Sequence, residues 1–249
     1  MFGLLKEIYY VSWADLRYMR HTFRNVLISS VMTPILYLLA FGYGLGNGMT
    51  HDGVPYIAFI IPGIAALTSL SASFASTSTR MNVQRLYYRS FDEMMMCPLS
   101  VSAIVLGKSM LGVIRGLISS SIIFAIGLLL APELSLTPLY VVTIVISCFT
   151  FSFLGVTAAL LAKSHASMAT FSSLVILPMT FLCGTFFSLD SLPEAIQVAL
   201  YALPLTHSSV AARAASLGWE FPWMSLIILA AFAVAFFAIN AYLVKNKKV

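Results

Sequence analysis

Long apolar stretches recur along the chain, and each is long enough to cross a lipid bilayer. Six of them cover about 26–45, 56–77, 104–130, 139–161, 168–187 and 222–244. A helix needs about 20 apolar residues to span the hydrocarbon layer, and none of the stretches alternates like a membrane β-strand. With 60% hydrophobic and 9% charged residues, the chain is predicted to be an all-α integral membrane protein with six transmembrane helices and no soluble catalytic domain.

Lys and Arg residues are concentrated in alternate connections between these stretches. They occur before the first stretch, in 80–108, at Lys163 and at the carboxyl terminus, whereas the other connections contain only Arg213. Basic segments next to membrane helices are retained in the cytoplasm, so both termini are expected to be cytoplasmic. The formal net charge of +5 forms no patch interleaved with aromatic residues, and no nucleic-acid partner is therefore expected.

The first 23 residues have the pattern of an amphipathic helix. Leu5, Ile8, Leu16 and Met19 recur at helical spacing, and charged residues occupy other positions around the turn. A membrane stretch follows within a few residues. The pattern therefore predicts a helix that lies in the interface between lipid headgroups and hydrocarbon.

The segment 80–108 is the longest polar interruption of the chain. Asp92 and Glu93 precede three consecutive Met residues at 94–96. A helix with charges and adaptable Met side chains is suited to docking in a groove of another protein. The alternative is a solvated cytoplasmic loop, and composition alone leaves both open.

Residues 188–220 interrupt the pattern of spans a second time. Asp190 or Ser191 is positioned to cap a helix that has Pro193 in its first turn and must end before Pro204. A second short helix follows. Both are apolar but too short to cross the membrane, so they predict a helical hairpin that re-enters its outer half.

Arg115 lies within the third stretch, beside Gly112 and Gly116 in GxxxG spacing. The glycine pair is compatible with close helix packing. Arg115 has two interpretations. Its side chain either snorkels to the cytoplasmic surface or faces a polar cavity between helices, where it would be functional.

No motif of a nucleotide-binding or hydrolytic site is present. The run LGKS at 106–109 resembles the end of a phosphate-binding loop, but Ser102 occupies the position of its first glycine. There is no HExxH, GxSxG or Cys/His cluster, so neither an enzyme nor a metal site is expected. Every acid lies outside the apolar stretches, which disfavours an ion-coupled carrier. From the residues alone, a stand-alone carrier or channel and a membrane scaffold or immunity protein remain open.

Four motifs, in their order and spacing, resemble the ABC type-2 exporter permeases, the membrane subunits of ATP-driven exporters. They are IPGI at 61–64, MCPLS at 96–100 with LGK at 106–108, CGTFFSLDSLP at 183–193, and LPLTH at 203–207 with Arg213. Many members have proline at the position of Ser188 and asparagine before Pro204, where this chain has Leu203. The last two motifs are most similar to exporters of nodulation lipo-oligosaccharides, polysaccharides or drugs.

The resemblance implies a single ABC type-2 transmembrane domain over 1–249. Residues 1–23 would be the interfacial elbow helix, 80–102 the cytoplasmic coupling segment, and 188–220 the re-entrant helices outside. Two permease chains, identical or homologous, would work with two cytoplasmic ATPase subunits that bind ATP and Mg²⁺, so no cofactor is expected in this chain. The complex would sit in a bacterial inner membrane and export a lipid-linked glycan, a lipo-oligosaccharide or a hydrophobic drug-like substrate by alternating access. The alternative is a secondary carrier or channel without an ATPase.

The resemblance also assigns roles to two groups of residues. The expected contacts with the ATPase, through apolar side chains in a groove and acids at its rim, are Phe91, Asp92, Glu93, Met94, Met95 and Pro98. The expected substrate path, where aromatic faces suit sugar rings and lipid chains, includes Tyr37, Phe41, Tyr43, Phe181, Phe186 and Arg115. The alternative for the aromatic residues is ordinary packing or contact with lipid.

Overall fold

The computed structural model describes residues 2–46, 48–51, 53–188 and 193–247, and nearly all of them are helical. In chain order the elements are α1 (Phe2–Tyr37) continuing as a π-helix (Leu38–Leu45), β1 (Thr50–His51), β2 (Val54–Pro55), α2 (Tyr56–Leu86), α3 (Ser90–Met95), α4 (Val101–Leu130), α5 (Pro138–Leu161), α6 (His165–Phe171) continuing as a π-helical turn (Ser172–Ile176), α7 (Leu177–Leu182), α8 (Glu194–Tyr201), α9 (Pro204–Leu217) and α10 (Trp223–Lys247). The two strands form one antiparallel pair of two residues each. The prediction of an all-α protein is confirmed.

Five helices of the described residues are long and apolar enough to cross a membrane. They are α2, α4, α5, the joined α6 and α7, and α10. α1 and its continuation are bent, and the arms Gly3–Phe23 and Ile28–Gly42 meet at 68°. If these two arms are counted together as one span, the number of spans is six. The predicted elbow helix and first span are therefore the two arms of one bent helix. We call Gly3–Phe23 the elbow arm.

The helix α2 is the centre of the bundle, and most of its residues are buried. It packs against α4, α5, α9 and α1. Gly112 and Gly116 of α4 permit the closest contact: a Cβ atom on Gly112 would lie 2.0 Å from Thr77 Oγ1, and one on Gly116 would lie 2.0 Å from Ser73 Oγ. Close helix packing is therefore the reason for the GxxxG spacing.

The helix α2 continues for about two more turns than the apolar stretch predicts, so 80–86 is helical rather than part of a separate polar segment. Polar side chains in these turns have partners inside the bundle. Gln84 donates to Asp15 Oδ1 at 2.7 Å, and Arg85 donates to the last carbonyls of α5, including Leu160 O at 2.8 Å. Such bonds allow polar residues to be buried. We call the end of the bundle where these residues lie the basic end.

The fifth span is shorter than predicted, because the helix ends at Leu182 and not at Phe187. Gly184 has a φ of 69°, in the left-handed region that ends helices. The predicted pair of short helices follows as α8 and α9, with Gly218 at a φ of 72° after α9. The predicted caps of α8, Asp190 and Ser191, lie outside the described residues.

Candidate functional site

The connection between α2 and α4 places α3 at the tip of the basic end. Arg89 begins α3 with a φ of 55°, the one positive φ of a non-glycine residue in the described chain. Asp92 and Glu93 are exposed. Met96 is 87% exposed, which is unusual for a large apolar side chain. We call Asp92, Glu93 and Met96 the α3 tip.

Phe91 differs from the expectation of a contact with another protein, because it is only 1% exposed. It packs in an apolar cluster with Met81 of α2, Ile104 of α4 and Phe153 of α5, and half-buried Met94 and Met95 pack against the same cluster. Phe91 therefore anchors α3 to the bundle. Of the six predicted contact residues, only the exposed Asp92, Glu93 and Pro98 lie fully on the surface.

A carboxylate of the elbow arm binds the segment between α3 and α4. Glu7 Oε2 accepts a hydrogen bond from Ser100 N at 2.9 Å and one from Ser100 Oγ at 2.6 Å. The same Ser100 side chain accepts from Ala103 N, which caps α4. The start of α4 is therefore bonded to the elbow arm directly.

Asp15 is the centre of a buried ionic network that sequence analysis did not single out. It is 1% exposed, and its carboxylate accepts from Arg80 Nε at 2.9 Å and from Lys108 Nζ at 3.1 Å. Gln84 bridges the pair, since it donates to Asp15 and accepts from Lys108 Nζ at 2.7 Å. We call these four residues the Asp15 network. It joins the elbow arm to α2 and α4, the two helices that hold α3.

Four of the five predicted aromatic residues form one cluster away from the basic end. Tyr37 and Phe41 come from α1 and its continuation, Phe181 comes from α7, and Phe186 lies just after the end of the fifth span. The ring centroids of Phe41 and Phe186 are 4.4 Å apart, and those of Tyr37 and Phe186 are 5.4 Å apart. Phe181 is 42% exposed and Phe186 only 6%. The side chain of Tyr43 lies outside the described residues.

Residues 6–217 match the family described as ABC-2 type transporter. This match covers most of the chain. The chain belongs to that family. The predicted family is therefore confirmed, and the structure is that of an ABC-2 permease.

Relatives of this ABC-2 permease are similar over most of their length. The inner membrane transport permease YadH of Escherichia coli (strain K12) is 28% identical over 228 residues, 88% of each chain. Nodulation protein J of Rhizobium meliloti (strain 1021) is 28% identical over 229 residues, 89% of this chain and 86% of the relative. Nodulation protein J of Rhizobium leguminosarum bv. viciae is 29% identical over 194 residues, 77% of this chain and 75% of the relative. A transmembrane transport function, as predicted, agrees with these names.

Arg115 of the permease does not join the aromatic cluster. Its Nε and Nη2 atoms donate to Ser30 Oγ of α1 at 2.9 and 2.7 Å. The side chain lines a cavity between α1, α2 and α4 that also contains Tyr18 and Arg80. Arg115 thus lines a cavity between helices, and its assignment to the substrate path stays a prediction.

The opposite end of the permease holds a second buried cation, Arg213 of α9, which is 5% exposed. Its guanidinium donates to Phe59 O at 3.0 Å and to Gly184 O at 2.8 Å, and it lies 3.8 Å from the centroid of the Phe59 ring. The sequence marked Arg213 only as part of a motif. The structure shows that it binds the carbonyls exposed where the fifth span stops.

His207, one residue of the same motif, is also buried rather than solvated. It is 3% exposed, and its Nε2 atom lies 2.8 Å from Tyr201 O of α8. Thr206 donates to Leu200 O at 2.6 Å. These two bonds connect α8 to α9.

Proposed function

We propose that the chain is the membrane subunit of an ATP-driven exporter, and that a separate ATPase docks on the α3 tip. The observation that supports this proposal is that one face of α3 is exposed while the other packs against the bundle. Its exposed face carries Asp92 and Glu93, while Phe91 on the other face is fixed in the core. We infer that a force on α3 reaches α2 and α4 through the packing of Phe91.

The connection continues into the elbow arm, which is tied to α4 by Glu7 and to both helices by the Asp15 network. Rigid elements that share such contacts move together. Closure of two ATPase subunits around ATP and Mg²⁺ would tilt the basic ends of α1, α2 and α4 as one body. Alternation between inward and outward access follows from that tilt.

We propose that a second permease chain, identical or homologous, covers the apolar face formed by α1 and the fifth span. Only 17% of the residues of the fifth span, His165–Leu182, are buried within one chain. Leu174, Leu177 and Phe181 are 71%, 56% and 42% exposed. The aromatic cluster lies at the edge of this face. In a dimer, it would border a path between the two chains.

The substrate class follows from the aromatic cluster and the resemblance to exporters of nodulation lipo-oligosaccharides. Aromatic faces pack against sugar rings and against acyl chains, so the cluster suits an amphipathic molecule. We therefore propose a lipid-linked glycan, a lipo-oligosaccharide or a hydrophobic drug-like molecule as the cargo.

The test is reversal of the charge of the α3 tip. The permease is purified from its own host's membranes, co-purifying chains are identified, and ATP hydrolysis is measured. We expect a nucleotide-binding subunit in equal amount, and its loss, with the ATP turnover, in the double variant Asp92→Lys/Glu93→Lys. Opposite charges in place of acids at a docking rim repel the partner.

The matched control is the double reversal Glu194→Lys/Glu220→Lys, which changes two exposed acids at the opposite end. It should retain the ATPase. If the α3 variant binds and turns over ATP like the unmodified chain, α3 is not the docking site. A wild-type permease that transports without any ATPase would instead be a carrier or channel.

We also propose that the basic end faces the cytoplasm, since it holds most of the Lys and Arg residues. Cys97 is a natural reporter because it is exposed beside α3, whereas Cys148 and Cys183 are buried. A thiol reagent that cannot cross membranes should label inside-out vesicles and not intact spheroplasts. Labelling of spheroplasts that disappears in Cys97→Ser would reverse the orientation.

A further inference from the structure

A cavity at the basic end has walls from three helices and is separate from the aromatic cluster. Its volume is ≈ 360 Å³, and its polar lining includes Tyr18 and Thr22 of α1, Thr79 and Arg80 of α2, and Arg115 of α4. Thr79 is exposed, and Tyr18 is 47% exposed. Molecules from outside the bundle therefore have access to it.

The cavity is rich in hydrogen-bond donors. Arg80 uses Nε for Asp15, and its guanidinium stacks on the Tyr18 ring at 4.2 Å. The stacking and the ion pair fix the plane of the guanidinium, yet its Nη1 and Nη2 groups make no hydrogen bond to any described residue. An oriented guanidinium with two available NH₂ groups is suited to an oxyanion such as phosphate.

The charge around the cavity favours an anion. Among the described residues that line it, two are Arg and none is Asp or Glu. The carboxylate that pairs with Arg80, Asp15, does not line the cavity and is shared with Lys108. Three cations and one acid therefore surround this region, and the excess is positive.

The surroundings of the cavity indicate the depth of lipid headgroups. Tyr18 on α1 and Tyr88 after α2 both line it and are 47% and 61% exposed. Trp13, one turn away on the elbow arm, is 47% exposed. Exposed Tyr and Trp residues collect at the level of the headgroups. The apolar part of the lining includes Met19, Val83 and Leu111, which suit the start of an acyl chain rather than a free ion.

We propose that this cavity binds the phosphate headgroup of an anionic lipid from the leaflet at the basic end. The phosphate oxygens accept from the free NH₂ groups of Arg80 and from Arg115, and the glycerol and first methylenes contact the apolar wall. The site lies between the elbow arm and the helices that hold α3, so a bound lipid fills the gap between parts that move together. The proposal does not depend on which molecule the permease transports.

The experiment measures which lipids the purified full-length permease retains. Phosphatidylglycerol and phosphatidylcholine are offered together in nanodiscs, and the retained molecules are counted by native mass spectrometry. We expect at least a tenfold preference for phosphatidylglycerol. Arg115→Gln should reduce that preference about tenfold, since a hydrogen bond to a charged group is lost. Thr79→Trp, at an exposed position of the wall, should abolish it by filling the cavity.

The matched control is Lys163→Gln, which removes one exposed positive charge of the basic end outside the cavity. It should leave the preference unchanged. The proposal is overturned if phosphatidylglycerol is retained no better than phosphatidylcholine, or if Arg115→Gln and Thr79→Trp behave like Lys163→Gln. Millimolar inorganic phosphate is added in a further arm. If it displaces phosphatidylglycerol to the level of the variants, the cavity selects free phosphate and the lipid assignment is wrong.

Discussion

The permease buries charge at both ends of its bundle, but it satisfies that charge in two different ways. At the basic end, one carboxylate, Asp15, lies between two cations from two other helices. At the opposite end, Arg213 has as its described hydrogen-bond acceptors the backbone carbonyls of Phe59, Gly184 and Thr185. The first arrangement depends on the sign of the charges, and the second depends on the shape of the backbone.

This difference matches what each end has to hold. The Asp15 network joins three intact helices, whose backbone bonds are already made, so side chains alone supply the contact. Arg213 lies where a helix stops, and the carbonyls of a broken span must find donors elsewhere. A long guanidinium reaches several of them at once. Substitutions that change a charge should therefore reduce stability at the basic end. Substitutions that keep the charge but change the geometry of the donor should reduce stability at the opposite end.

The largest effect is expected from Asp15→Asn. Neutralising the shared carboxylate leaves Arg80 and Lys108 without their buried counter-ion, and breaking a buried ion pair in this way costs about 3–5 kcal/mol. We expect the apparent unfolding temperature in detergent to fall by about 6–20 °C. Thermal unfolding followed by tryptophan fluorescence measures it.

Two further variants test the cause of that loss. Asp15→Asn combined with Lys108→Met removes one unpaired cation as well, and it should recover about half of the loss. Asp92→Asn neutralises an exposed acid of the same end and should change stability by less than about 0.5 kcal/mol. Equal stability of Asp15→Asn and Asp92→Asn would show that the network contributes nothing.

The spans could be predicted from the sequence because hydropathy is a local property, and the bounds of α4 and α5 differ from prediction by at most a few residues. The Asp15 network could not. Asp15 is 65 residues from Arg80 and 93 from Lys108, and no local pattern states which distant charges meet. One signal was available: an acid next to Arg17 and Arg20, on the elbow arm of a chain that contains only nine acids.

The second effect in size is expected from Arg213→Lys, which keeps the charge and removes the fork of donors. A Lys ammonium cannot reach both Phe59 O and Gly184 O from the same position, so we expect a loss of about 2 kcal/mol. The carbonyls of 183–188 then lose their fixed position. Cys183, 0% exposed in the structure, should react faster with a thiol reagent under native conditions.

Arg80→Lys is the matched change at the basic end. There the guanidinium meets Asp15 through Nε alone, so an ammonium beside the carboxylate should preserve most of the pair, and a loss of less than about 1 kcal/mol is expected. The comparison fails if Arg80→Lys is the more damaging of the two substitutions, or if Cys183 remains protected in Arg213→Lys.

The early end of the fifth span illustrates why the second region escaped prediction. Phe186 and Phe187 are as apolar as the helix before them, so hydropathy continues the span to residue 187. The helix ends at Leu182 because Gly184 adopts a positive φ and its carbonyl is bonded by Arg213 from α9. The donor lies 29 residues further along the chain.

The smallest effect is expected from Ser100→Ala. This variant tests the exposed contact between Ser100 and Glu7 without changing the buried Asp15 network. The substitution removes the side-chain cap of α4 and one of the two hydrogen bonds to Glu7, that of the Ser100 hydroxyl, at a cost of about 1 kcal/mol. Ser164→Ala is the control, because Ser164 caps α6 in the same manner and has no contact with the elbow arm. Both should lose similar stability.

Only Ser100→Ala should speed amide exchange in the first two turns of α1, by about fivefold for 1 kcal/mol. If exchange there rises in Asp15→Asn and stays constant in Ser100→Ala, the buried network holds the elbow arm without help from the Ser100 hydroxyl.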